Sequence, residues 1–289
     1  MTFLVAEHFV KSPGWTWLIL AYFFFAGLSG GCYALGVLLR LAGRPGDETA
    51  ARVAFLIAFP LIVVCPILLT VDLGQPGRFW HMAIDSNGGG LNFKAGSPMS
   101  LGVWALGAYS GFAFISFVEV LIRPIRRLLA GVLGRLVAVI GGVLGLFVCA
   151  YTGVLLSVSN QPVWSDGWPL GGLFLASGLS GAAALLLLAA RYRAEMAATT
   201  ARIADADRYF VILEALLIAV FLVTVAAAGT LGKLFGGTGI VLWLVVLAGL
   251  AMPLVAHYRM RALSPALTSL VVLAGVLALR AVVIFGAQS

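Results

Sequence analysis

Six side chains able to do chemistry stand in stretches that are otherwise almost all hydrocarbon. Tyr22, Asp72, Glu119, Tyr151, Glu214 and Arg280 each interrupt or close a run of Leu, Val, Ala, Phe and Gly. An ionisable group deep in a bilayer costs on the order of 2.5–3.5 kcal/mol, so it carries a partner or a task. Phenols hydrogen-bond ligands and carboxyls move protons, which makes ligand binding and proton transfer the chemistry to test. Each residue also has a structural reading. The tyrosines could belong to an interfacial belt, although both sit deep for one. Asp72 could cap the turn Leu73-Gly74-Gln75-Pro76 or pair with Arg78 or Arg280. Glu119 stands four residues before Arg123, the spacing of an ordinary helical ion pair. Glu214 has no such partner in its own stretch.

These residues must be positioned by membrane helices. Of the 289 residues 62% are apolar and 10% are charged, with a mean hydropathy of +1.09; a soluble domain carries about 25% charged residues. Eight runs meet the length of a span, near 15–39, 53–71, 101–122, 136–158, 170–190, 209–229, 240–256 and 265–285. None alternates with period two, so the expectation is a single all-α polytopic membrane domain over 1–289 and not a barrel. The first run has no basic flank or small-residue cleavage site before it, so it is expected to remain in the mature chain.

Arginine sets the orientation. Arg40, Arg44, Arg52, Arg123, Arg126, Arg127, Arg135, Arg191, Arg193, Arg202, Arg208, Arg259 and Arg261 all fall on one side of the span pattern, leaving Lys11, Arg78, Lys94 and Lys233 on the other. The positive-inside rule then expects both termini outside and the arginine-rich loops in the cytoplasm. The net charge of +7 reports topology and not nucleic-acid binding. Counting about 1.5 Å per residue puts Tyr22, Tyr151, Arg280 and Asp72 in the outer third, and Glu119 and Glu214 toward the cytoplasm.

The outer loops, residues 73–100 and 159–169, hold most of the distinctive text, with two tryptophans expected at interface depth in the second. Ala26-Gly-Leu-Ser-Gly-Gly31 resembles Ser177-Gly-Leu-Ser-Gly-Ala182, a weak repeat consistent with two parallel four-helix bundles, although small residues recur wherever such helices pack. His8, His81 and His257 are too scattered to clamp a haem within the bilayer, and Cys32, Cys65 and Cys149 have no cluster spacing. Neither haem nor a metal is expected on this chain, so electrons would enter through another subunit or an organic carrier.

A wider pattern joins these residues: Trp15-x-Trp17, Tyr22-Phe-Phe-Phe-Ala-Gly-Leu-Ser-Gly-Gly31, Asp72-Leu-Gly-x-Pro-x-Arg-Phe-Trp80, Ser97-Pro-Met-Ser100, Tyr151-Thr-Gly-Val-Leu-Leu-Ser157 with Pro162-x-Trp164, and Arg280 before Gly286-x-Gln288. Over nearly the whole chain it resembles the polysulfide-reductase membrane-subunit family, also called NrfD or PsrC-like. The resemblance implies eight helices in a bacterial or archaeal cytoplasmic membrane. It also implies a quinone site, for menaquinone or ubiquinone, near the outer face. Beside that site an iron–sulphur subunit would dock, itself wired to a molybdopterin catalytic subunit. Tyr151 would then hydrogen-bond a quinone carbonyl and Tyr22 would contact the other end or the ring. Asp72 would relay protons to the outer water, while Arg78 and His81 would form the docking rim. The span-one position is a histidine in the best-known family pattern, with an asparagine where Ile19 stands here.

Two rival readings stay open: a solute permease, which would carry polar groups at the midplane, and a purely structural anchor. Proton translocation would have to join Glu119, Glu214 and Arg280 to the outer cluster, with Thr224 and Ser116 as the visible stepping stones.

Overall fold

The computed structural model describes residues 12–85, 90–258 and 264–288; His8, Lys11, Arg259 and Arg261 lie outside them, as does the side chain of His257. The described chain is helical: α1 (Trp17–Leu41), α2 (Glu48–Asp72), α3 (Pro98–Leu121), a short α4 (Arg123–Leu128), α5 (Val132–Ser157), α6 (Leu170–Ala190), α7 (Ala197–Ala227), a short α8 (Leu231–Phe235), α9 (Gly239–Tyr258) and α10 (Pro265–Gly286). Seven of them are long and apolar enough to cross a membrane, and the chain is a multi-pass membrane protein. The run expected near 240–256 is helix α9, whose described apolar part, Gly239–Val255, is shorter than the other seven.

Helix α1 lies at the centre because its sequence lets neighbours approach. Water offers no drive for helix association inside lipid, so close packing through small residues takes over. A Cβ on Gly30 would overlap the Gly145 carbonyl of α5, and one on Gly31 would sit 2.5 Å from the Gly178 carbonyl of α6. Gly178 in turn faces the Gly27 carbonyl. The two copies of the weak repeat therefore pack against each other, helix against helix.

Around this seam the contacts repeat. Helix α1 packs on α2 and α5, and α3 touches both; α6 packs on α7 and α10, and α9 touches both. The two interiors are filled differently. In the first set Tyr109 is hydrogen-bonded to Ser29 (2.8 Å), and Tyr33 to Ser116 (2.6 Å), all four fully buried. In the second set α9 and α10 cross at Gly249 and Gly275, close enough that a Cβ on either would lie 2.9 Å from the other's Cα.

The ends are tied across the sets. Gln288 exchanges hydrogen bonds with the Trp15 backbone, accepting from its N–H (2.6 Å) and donating to its carbonyl (3.2 Å). Trp164 is buried, stacks on Trp15 at 4.8 Å and donates to the Val283 carbonyl at 2.7 Å. It is thus a packing wedge and not the interfacial tryptophan expected of its loop, whereas Trp168 is 71% exposed. At the opposite end Asp47, before α2, is buried and accepts from Thr199 (2.7 Å) and Arg202 of α7 and from the Arg44 N–H (2.7 Å). Burial pushes this carboxyl up, but the three donors outweigh it and hold it below the usual carboxylate range.

Candidate functional site

At the end of the molecule opposite the arginines, four helices bring the motif residues together. Ser97 caps α3 by accepting from the Ser100 N–H (3.4 Å), and Pro98 follows in the first turn, where its missing N–H is harmless. That geometry presents the Pro98 carbonyl to α5, and the Tyr151 hydroxyl donates to it at 2.6 Å. Gly102, one turn on, leaves the room for the ring; a Cβ there would collide with the phenol. The motifs Ser97-Pro-Met-Ser100 and Tyr151-Thr-Gly therefore form one unit in space.

Tyr22 approaches from α1. Its side chain is 5% exposed, its backbone carbonyl accepts from the Cys65 thiol of α2 (3.8 Å), and it lies within electrostatic range of Tyr151. Among the described residues nothing hydrogen-bonds its hydroxyl. The two phenols thus differ chemically. Tyr151 already spends its proton on Pro98 and can offer a ligand only oxygen lone pairs. Tyr22 retains a donor, and its hydroxyl keeps some accessible surface through which a ligand carbonyl could accept from it.

Asp72, the last residue of α2, accepts from Thr16 Oγ1 at 3.2 Å, and Thr16 itself caps α1 by accepting from the Leu18 N–H. The acid therefore joins the end of α2 to the start of α1, and among the described residues it forms no ion pair with Arg78 or Arg280. Gly74, at φ +68°, turns the chain into a 3-10 segment, Pro76–Met82, which carries Arg78 exposed and His81 half-buried. The His81 carbonyl accepts from Asn92, and the Asn92 carbonyl accepts from Trp104 of α3, so this loop is stitched to the membrane helices.

Beside the cluster an apolar cleft of about 300 Å³ opens between α2, α3 and the loop, lined by residues that include Pro66, Leu69, Phe79, Val103, Leu106 and Gly107. Neither tyrosine lines it. Its wall residues Pro66 and Val103 adjoin in sequence Cys65 and Gly102, which touch Tyr22 and Tyr151. The volume is at the lower end of ordinary ligand sites and suits a flat apolar ring. Among the described residues no three His, Cys, Asp or Glu converge as metal ligands would.

The remaining charged candidates lie elsewhere. Glu119 pairs with Arg40 (2.9 Å) and not with Arg123; Arg40 also holds Glu48 (3.1 Å), which holds Arg52 (3.0 Å). Arg280 is fully buried and, among the described residues, hydrogen-bonds only neutral groups: the carbonyls of Phe23, Phe174 and Val276 and the Ser177 hydroxyl (2.7 Å). Gly27 leaves the space for its guanidinium. Glu214 lies within electrostatic range of Arg280, while Glu119 belongs to its own ion network in the first set.

Three sets of buried polar groups escaped the sequence reading. Asp47 sits in a loop that looks like a connector. Asp207, bonded to Ser180 at 2.9 Å, precedes the expected start of its span. Tyr33 and Tyr109 are hidden among apolar neighbours. For Asp207 a signal existed: the buried face of α7 runs through residues 199, 203, 207, 211, 214, 218, 221 and 225, steps of three and four that put it on the same stripe as Glu214.

Comparison with known proteins follows the same lines. The profile of the family described as polysulphide reductase, NrfD, matches residues 5–289. The sequence is 29% identical to the C chain of the polysulfide reductase of Wolinella succinogenes, over 95% of its own length and 94% of that relative's. It is 29% identical to protein NrfD of Escherichia coli (67% and 64% covered) and 28% identical to the C subunit of the tetrathionate reductase of Salmonella typhimurium (65% and 54%).

Proposed function

Because the chain belongs to the polysulphide reductase NrfD family, we propose that it is the quinone-reactive, haem-free membrane subunit of a multisubunit reductase. It exchanges electrons between the quinone pool and an iron–sulphur subunit docked on the outer face, beyond which lies a molybdopterin subunit. Two of its relatives are named as a C chain and a C subunit of a reductase, which favours partner subunits. In this reading α9 is the eighth span, the two helix sets are parallel four-helix bundles, and the arginine-rich loops face the cytoplasm of a bacterial cell.

The observation that carries the reading is the unpartnered hydroxyl of the buried Tyr22 beside an apolar cleft and a half-buried acid. A bound quinone supplies two-electron, two-proton chemistry at carbonyl oxygens. This chain's residues do the rest. Tyr22 donates to one ring oxygen, and the Tyr151 oxygen, held by Pro98, accepts from the other when that oxygen carries a proton. Asp72 sits at the outer end of α2, where it passes protons between the ring and bulk water. The cleft walls keep water off the ring and leave an opening toward lipid. Arg78 and the exposed Phe79 and Trp80 form the surface on which the iron–sulphur partner is seated.

The test is to solubilise the host membrane gently, capture the chain by a tag in an arginine-rich loop, and assay the eluate for iron, molybdenum and extractable quinone. An iron–sulphur protein, a molybdopterin protein and quinone in fixed ratio are expected. The chain alone, with neither iron nor quinone, would overturn the reading in favour of a permease.

A further inference from the structure

We propose that the groove between α1 and α7 at the arginine-rich end binds one anionic phospholipid, with its phosphate on Arg202 and an acyl chain running inward between the helices. The two helices are joined through α6 and through the loop before α2 and are not packed closely on each other. They leave a groove of about 160 Å³, walled on α1 by residues that include Leu35, Leu38 and Leu39 and on α7 by Ile203, Ala206 and Phe210. Helix α7 begins where α1 ends, since Asp47 accepts from Thr199 and Arg202. Gly43 and Arg202 therefore share the polar end of the groove, while Leu35 and Phe210 share the apolar end, about 12 Å deeper at 1.5 Å per residue. That is the layout of a headgroup above a hydrocarbon chain.

The polar end is built for an anion. Arg202 donates through Nη2 to Asp47, and among the described residues that is its one hydrogen bond, so Nε and Nη1 keep their donors for a ligand at the groove wall. A guanidinium fork matches phosphate oxygens better than any other side chain. A Cβ on Gly43 would overlap the Leu39 carbonyl and press on the Asp47 carboxylate, so the glycine is what lets the carboxylate reach this end and fix the guanidinium at the groove mouth. Arg44, next in the chain, is exposed and adds a second cation. Two guanidiniums against the one carboxylate of Asp47 leave a single positive charge, the complement of one phosphodiester. Asp205 is exposed on α7 and is not among the residues lining the groove.

Any lipid can lie in an apolar groove, and the arginines are what select. Basic pockets between membrane helices favour anionic headgroups, whereas the quaternary ammonium of a choline headgroup would meet two cations. A free phosphate would use only the mouth and leave the leucine-lined remainder without a partner. The lipid also bears on assembly. Arg202 ties α7 of the second helix set to the loop before α2 of the first, and a phosphate on the same guanidinium holds that tie from the membrane side. Because such a site exists only in the folded chain, occupancy raises the thermal midpoint. The outer quinone pocket plays no part in it.

The experiment titrates the purified full-length protein, stripped of lipid in detergent, with phosphatidylglycerol, with phosphatidylcholine of the same acyl chains and with inorganic phosphate. Bound lipid is counted by native mass spectrometry, and the thermal midpoint is followed in parallel. Phosphatidylglycerol should bind at one per chain, more tightly than phosphatidylcholine, and should raise the midpoint. Its affinity should fall about tenfold in Arg202→Gln, the equivalent of one lost hydrogen bond, and about fivefold in Arg44→Gln, the equivalent of one surface cation. Ala206→Phe fills the groove without touching Asp47 or Arg202, so it should abolish binding and leave the lipid-free midpoint unchanged. Equal affinity for the two lipids overturns the site, and so does a midpoint raised as far by inorganic phosphate as by phosphatidylglycerol. Should Arg202→Gln fail to fold, an unchanged phosphatidylglycerol affinity in both Arg44→Gln and Ala206→Phe overturns it.

Discussion

At the residue scale the two tyrosines are not equivalent, and the difference is measurable. Tyr151 is held by Pro98 and shaped by Gly102, so Tyr151→Phe removes both a packing tie and a ligand contact. Tyr22 has no described hydrogen bond to lose, so Tyr22→Phe should leave stability unchanged or raise it. Its cost should appear only in quinol turnover, as a fall of about tenfold in kcat/KM, one hydrogen bond's worth. Equal turnover by Tyr22→Phe would remove Tyr22 from the site. Asp72→Asn keeps a hydrogen bond to Thr16 within reach but cannot carry protons, and turnover should drop by about 10² or more. These positions were legible in the chain because a lone polar residue stands out in hydrocarbon. Their partners were not: nothing in the sequence near Glu119 points to Arg40 over the adjacent Arg123, and only folding brings α1 against α3 there.

At the element scale the helices are placed by what they lack. The α1–α6 seam relies on Gly31 and Gly178, where added carbon meets backbone that cannot move aside. Gly31→Ala should therefore destabilise by about 1–3 kcal/mol, read as a lower thermal midpoint in detergent. Gly111→Ala on α3, whose Cβ would meet nothing within 4 Å, should be neutral or stabilising by up to about 1 kcal/mol. The same helix offers a test of the cleft. Gly107 lines it, and a Cβ there is unobstructed, so Gly107→Phe should fold normally and fill the slot. Quinol KM should rise with little change in thermal midpoint; an unchanged KM would move the ligand elsewhere.

At the scale of the whole molecule, two helix sets with one contact pattern are joined along α1 and α6 and latched at their ends. The Asp47 latch, reaching from the loop before α2 to Thr199 and Arg202 of α7, has a defined pH signature. Its carboxyl is held below the usual range, so its contribution is complete above about pH 3.9, where an unfolded aspartate titrates, and drains away as pH falls through the lower folded value. Thermal midpoints measured from neutral to acid pH should show this loss in the wild-type chain. Asp47→Asn should be less stable by about 1–3 kcal/mol at neutral pH and should lack that part of the acid dependence; an identical acid profile in both would dismiss the latch.

The sequence by itself determined the solvent, the helical class and the family, because bilayer thickness and the cost of burying charge act locally along the chain. It also held the seam, as a repeated run of small residues, without showing that the two copies meet. Only the tertiary structure decided the pairings: Tyr151 with Pro98, Asp72 with Thr16, Asp47 with α7, Trp164 under Trp15, and Glu214 beside a void. Each joins residues far apart in the chain. In lipid, where apolar surface does little to drive helices together, partners are set by close packing and by which buried donors find acceptors, and neither is written in local sequence.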